Sequence, residues 1–219
     1  MKKLFFTLIL ALFGPIFSTR ASCPETYPLP KIEFYSSYGK LKYDFSKNTE
    51  YITKLAQKAK TIQTGLFASG LTTIKMNLNI SLNNTGKKQS KNYFCVYPKD
   101  IKISIYYSDP TIYVAKHLKP NSCEYNVVLR HEHAHLQINK TALDYFLPLF
   151  HKAIIEILKS IKPRKVMHSS QIKLASEEIT EEFQNKINPL YDYFRQQIFN
   201  EQQKLDNDNN YKYENQLCR

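Results

Sequence analysis

Three observations predict an α+β fold in which a small, mainly antiparallel sheet packs on a long helical hairpin. Ile74, Met76, Leu78, Ile80 and Leu82 alternate strictly with other residues, and Ile101, Ile103 and Ile105 repeat the pattern. Period-two alternation marks a strand buried on one face. Downstream the period changes: Leu143, Phe146, Leu147, Phe150, Ile154, Ile157 and Leu158 recur at helical spacing. A second helical segment runs from about 175 to 205, and the short basic connector Pro163–Ser170 between the two is expected to let them fold back on each other.

The chain opens Met1-Lys2-Lys3, continues apolar from Leu4 to Phe17 and ends that stretch in Ser18-Thr19-Arg20-Ala21-Ser22. A basic start, an apolar run too short to span a bilayer and small residues at its end read as a signal peptide over residues 1–22, cut after Ala21 or Ser22. Residues 23–219 are then a single domain, long enough to bury a sizeable core. Cys23 beside the cut suggests a lipoprotein as the rival reading, but Arg20 stands where that signal wants an aliphatic residue. Loss of Lys2, Lys3 and Arg20 lowers the formal charge from +12 to +9. The expected product is an exported, basic protein, periplasmic or secreted, whose field favours anionic envelope surfaces or acidic substrates. No basic-aromatic motif for nucleic acid accompanies the charge.

Four cysteines, Cys23, Cys95, Cys123 and Cys218, suggest two disulfides in an oxidising compartment. Of the three connectivities, Cys95–Cys123 with Cys23–Cys218 is preferred, because it ties a strand to the entrance of a helix and joins the ends. A four-thiolate zinc site is the competitor, without C-x-x-C spacing to support it.

Taken in order, Ile32 to Tyr43 is strand-like with a turn at Ser36-Ser37-Tyr38-Gly39. Asn48 to Ile62 reads as a helix with Thr49 as its cap, and Gly65 and Gly70 bracket a loop. The strand from Ile74 to Leu82 should end at the turn Asn83-Asn84-Thr85-Gly86. A second strand region, Tyr93 to Tyr107, is broken by Asp109-Pro110, and a short strand, Thr111 to Ala115, follows. The first long helix starts near Glu124, with a kink expected at Pro148; the second, from Ala175 to Leu205, has Pro189 as its own kink.

The first long helix carries the chemistry. Val127 to Asn139 contains His131-Glu132-His133-Ala134-His135, an H-E-x-x-H motif. Residues i and i+4 share a helix face, so His131 and His135 can offer imidazole nitrogens to one zinc ion. Glu132 flanks that face, where a carboxylate can serve as general base toward water. His133 points about 200° away and is expected to pack or be solvated; His117, in a loop, is incidental. The bland alternative is an ordinary amphipathic helix that binds nothing. Catalytic zinc takes three protein ligands, and the motif supplies two. Antiparallel helices turning near Lys165 would bring position 133 toward 197, which makes Glu201 and Asp206 the candidate third ligands. Glu156 competes, but Lys152 and Lys159 stand at ion-pair spacing from it. Glu177, Glu178, Glu181 and Glu182 suit the start of the second helix.

Cys95, Thr111 to Ala115, Cys123, Val127 to Asn139 and the tail Gln203-Lys204-Leu205-Asp206 together resemble secreted bacterial zincin-like (HExxH) zinc-dependent proteases. The tail departs from that pattern, with Leu205 where a tyrosine and Tyr211 where a histidine would stand. The resemblance implies a zinc peptidase fold, zinc on His131 and His135, and Glu132 as general base. The expected function is therefore an exported zinc metallohydrolase acting on an amide bond of a peptide or protein, with Tyr211 or Tyr213 as candidate oxyanion donors. The alternatives are a non-catalytic envelope protein of the same fold, and a basic module binding anionic envelope polymers.

Overall fold

A computed structural model of the chain describes residues 22–62, 65–90 and 92–218; the expected leader, except its last residue, Ser22, lies outside them. The two alternating runs pair with each other, as their shared period allows. They form β3 (Gly70–Ser90) and β4 (Tyr93–Val114), an antiparallel pair that continues through both expected breaks. Asn83 and Asn84 do not turn the chain; a register shift falls between them and the strand runs on. Pro110 lies inside β4, where a second shift, between Thr73 and Lys75 of β3, accommodates its missing donor. The expected strand from Thr111 to Ala115 is thus the end of β4.

β3 follows one edge of β4 along its whole length, so the remaining strands share the other edge. β5 (Arg164–Val166) lies antiparallel on Phe94–Val96, β1 (Lys31–Ser37) parallel on Asp100–Tyr106, and β2 (Lys42–Asp44) parallel on Thr111–Tyr113. The sheet is therefore mixed, and the expectation of a mainly antiparallel one is corrected: both strands that precede β3 run parallel to β4. Alternation reports which face is buried, but not strand direction. β1 and β2 keep the same offset against β4, Lys31 facing Asp100 and Lys42 facing Thr111. The expected turn at Ser36-Ser37-Tyr38-Gly39 instead interrupts one continuing edge. Gly39, at φ +69°, makes the interruption; a Cβ there would stand 2.6 Å from the Tyr107 carbonyl oxygen.

α1 (Thr49–Lys58) is capped by Asn48, whose side chain accepts from the Tyr51 amide, and not by Thr49. α2 (Cys123–Ser160) and α3 (Ile172–Leu205) are the two long helices, each continuing through its proline. The expected helical hairpin is also corrected. No tight turn joins them; β5, paired to the sheet with Lys165 opposite Cys95, and a 3₁₀ turn at Ser169–Gln171 intervene. Phe150, Ile154 and Leu158 of α2 and Ile179, Phe183 and Ile187 of α3 are fully buried with Val96, Ile101 and Ile103 of β4. Nearer the site, Phe146 and Phe194 pack with ring centroids 4.2 Å apart over Ile105 and Tyr107. α4 (Asp208–Gln216), capped by Asn207, follows.

The disulfides are Cys23–Cys95 and Cys123–Cys218, which corrects the preferred pairing. Each terminal cysteine meets an internal one instead of its counterpart at the other end. Cys23 is thereby engaged with β4, against the lipoprotein reading, and all four thiols are used. Two disulfides indicate an oxidising, exported compartment. No helix among the described residues is long and apolar enough to cross a membrane.

Candidate metal centre

Ser122 accepts from the Tyr125 amide and starts α2, so His131 and His135 fall on the helix two to three turns in. Their rings stand 4.7 Å apart between centroids, and the two Nε2 atoms are separated by 3.0 Å. α3 runs past α2 in the opposite direction and ends with Asp206 as its C-cap, at φ −84° and ψ +61°, outside helical geometry. That departure brings Asp206 Oδ1 to 3.1 Å from both Nε2 atoms. Among the described residues these three offer one ligand atom each within a single 4.8 Å group.

The two histidines differ at their other nitrogen. His135 Nδ1 donates to Gln202 Oε1, and Gln202 Nε2 returns a bond to the His135 carbonyl at 3.1 Å. Asn139 Nδ2 donates to that carbonyl too, at 2.9 Å. His131 Nδ1 lies 3.0 Å from Glu214 Oε2, but the contact lacks the alignment of a hydrogen bond, so this buried nitrogen has no hydrogen-bonding partner. Protons held on Nδ1 leave the Nε2 lone pairs facing one another and a carboxylate oxygen, which a cation reconciles. Ligands at about 2.0–2.1 Å around tetrahedral zinc stand about 3.3–3.4 Å apart, so the observed triangle needs to open by only a few tenths of an ångström. The donor set fits zinc.

The electrostatics follow from the same cluster. Burial pulls the His131 and His135 pKa values down, but Asp206 and Glu132 outweigh it and hold both above the ordinary imidazole value. Burial works to raise Asp206, yet hydrogen bonds to His131 and His135 keep its carboxyl well below the usual range. Tyr211 donates its hydroxyl to Asp206 Oδ1 at 2.7 Å and stacks on His131 with centroids 5.4 Å apart. Burial and that carboxylate raise the Tyr211 pKa far above a free phenol's.

Glu132 is only 4% exposed, and burial raises its pKa against the opposing pull of His135 and His131. The Thr72 hydroxyl of β3 reaches Glu132 Oε2 and the Glu132 carbonyl, each at 2.8 Å. Gly70 begins β3 against the other oxygen: a Cβ there would stand 2.5 Å from Oε1 and 2.6 Å from Val128 Cγ1. A side chain at position 70 would cover the carboxylate.

Of the residues singled out by spacing, His131, Glu132, His135, Asp206 and Tyr211 come together. Glu201 does not; it is exposed and pairs with Lys204 at 2.6 Å. Glu156 pairs with Lys159 at 3.0 Å, and Tyr213 is exposed. His133 meets the Tyr43 hydroxyl at 3.2 Å and His117 the Thr49 hydroxyl at 3.3 Å, both away from the cluster. Gln202, Thr72, Gly70 and Glu214 were not legible in advance. Only Gln202 carries a signal, one helical turn before Asp206 on the same segment. In comparisons with known proteins, the chain matches no family model, no curated protein and no solved structure.

Proposed function

We propose that this chain is an exported zinc-dependent metallohydrolase, periplasmic or secreted after loss of its leader, that cleaves peptide bonds. The observation that carries the reading is the convergence of His131 Nε2, His135 Nε2 and Asp206 Oδ1 on one point with Glu132 buried beside them. Zinc, when bound, supplies Lewis acidity toward a carbonyl oxygen and toward water. Glu132 takes the proton from the attacking water and passes it to the leaving nitrogen as the carbon–nitrogen bond breaks. Thr72 fixes Oε2 for this, and Gly70 leaves Oε1 uncovered. Tyr211, held protonated where it donates to Asp206, is the proposed donor to negative charge on the carbonyl oxygen. β3 pairs with no strand but β4 among the described residues, so an extended peptide would add at its other edge, near Gly70 and Glu132. The resemblance to zincin-like proteases supports the same reading.

A structural zinc is the second reading, favoured by one observation: the cluster joins α2, the end of α3 and α4. Zinc analysis of the purified oxidised chain beside His131→Ala, followed by a peptide-library digest with Glu132→Gln, separates the cases. The catalytic reading expects near one zinc per chain, lost in His131→Ala, and hydrolysis that falls at least about 100-fold in Glu132→Gln while zinc remains. Zinc bound without any hydrolysis leaves the structural reading, and no zinc after incubation with the metal overturns both.

A further inference from the structure

The zinc reading gives no role to Glu214, yet its carboxylate is brought under α2. Glu214 Oε2 and His131 Nδ1 are 3.0 Å apart with side chains only 12% and 8% exposed. His131 Nδ1 has no hydrogen-bond partner and is buried, which a ring nitrogen carrying a proton does not sustain without cost. His135 shows the complete arrangement, with Gln202 as acceptor at its Nδ1. Resting on the zinc reading, we propose that Glu214 is the positioning residue of His131, the acceptor that fixes its ring for the metal. We further infer that the Cys123–Cys218 disulfide delivers it.

The packing of α4 carries the second half. α4 buries none of its residues, so the core does not hold it in place. Its anchors are polar: Tyr211 to Asp206 at 2.7 Å, Asn210 Nδ2 to the Leu205 carbonyl at 3.1 Å, and Glu214 to His131. The covalent anchor lies just beyond its end, where Cys218 joins Cys123, the first residue of α2. Glu214 meets His131 and Cys218 meets Cys123, so rising numbers on α4 meet falling numbers on α2. The helix therefore lies antiparallel along the first turns of α2, the placement that sets Glu214 under the His131 ring. A carboxylate that orients a ligating imidazole raises its basicity and removes the freedom it must otherwise lose on binding the metal.

The test is zinc affinity, measured by competition with a chromophoric chelator at neutral pH, on the oxidised full chain and its variants. Thermal melts of each metal-free variant check folding. Glu214→Ala should weaken zinc about 10- to 100-fold, and Glu214→Gln should recover part of that loss, since an amide oxygen serves His135. The Cys123→Ser/Cys218→Ser pair should weaken zinc by a similar factor, and adding Glu214→Ala in that background should cost little more, as expected of two changes acting through one contact. Cobalt in place of zinc should show a shifted visible absorption in Glu214→Ala. An unchanged zinc affinity and cobalt spectrum in Glu214→Ala would overturn the positioning role while leaving the metal site standing. Multiplying losses for the disulfide and Glu214 changes would overturn the delivery role. A parent chain that binds no zinc would instead sink the metal reading, and this inference with it.

Discussion

Burial sets Glu132 against its own charge. Its carboxyl is pushed upward, so the folded chain holds the protonated form more readily than the unfolded chain does. For a group raised on folding, the stabilisation is full below the unfolded value and is lost as pH rises through the folded one. Above the unfolded carboxyl's range Glu132 therefore costs the metal-free chain stability. Glu132→Gln should raise the metal-free melting temperature by about 2–4 °C, for roughly 1 kcal/mol, while abolishing hydrolysis. A lower melting temperature in calorimetry would contradict this. Gly70→Ala works from the other side, since its Cβ would press on Oε1 and Val128. Overpacking should cost about 1–3 kcal/mol and lower kcat/KM at unchanged zinc content, which a melt and a rate measurement would check. His131 and His135, raised above ordinary imidazole, would release protons on binding zinc. Zinc affinity should fall as pH drops through that raised range, by about tenfold per pH unit for each proton displaced, in chelator competition run across pH.

At the scale of elements, the strands and helices were legible where a period was long and the ends were not. Ile74 to Leu82 and Ile101 to Ile105 marked buried faces, and those faces meet α2 and α3. The turn at Asn83-Asn84-Thr85-Gly86 and the break at Asp109-Pro110 did not form, because register shifts absorb residues that would otherwise end a strand. The Cys23–Cys95 bond spans 72 residues and ties the entry segment to β4. Replacing both cysteines with serine should cost about 4 kcal/mol by loop entropy, read as a lower denaturant midpoint. An unchanged midpoint would mean that non-covalent ties hold the segment, among them Tyr27, whose hydroxyl donates to the Leu158 carbonyl at 2.6 Å and whose ring stacks on Tyr97.

For the whole molecule, what the sequence withheld was direction and long-range pairing. H-E-x-x-H announced the two histidines and the glutamate because helical spacing is local. Asp206 was reachable only by supposing that α3 returns past α2, and Glu201 looked equally good because one turn of helix was unresolved by that argument. Glu214 had no periodic pattern around it. Strand direction depends on where α1 and β3 carry the chain, and the cysteine pairing on how each terminus lies across the sheet and α2. The molecule has two covalent ties and a large core apart from the cluster, so chelation should lower its melting temperature by several degrees without unfolding it at room temperature, as mass action on one ligand requires. Loss of far-ultraviolet circular dichroism on chelator addition would show that the ion holds the fold.

Asp206 enters the chain 71 residues after His135. During synthesis and translocation the paired histidines therefore travel without the carboxylate that closes their triangle, and without the tyrosine beyond it. On the proposed function, hydrolytic competence would wait until the tail has emerged, been oxidised onto α2 and folded back. A nascent chain would then be inert toward its neighbours, and the compartment that forms the last disulfide would also be the one in which the first bond is cut.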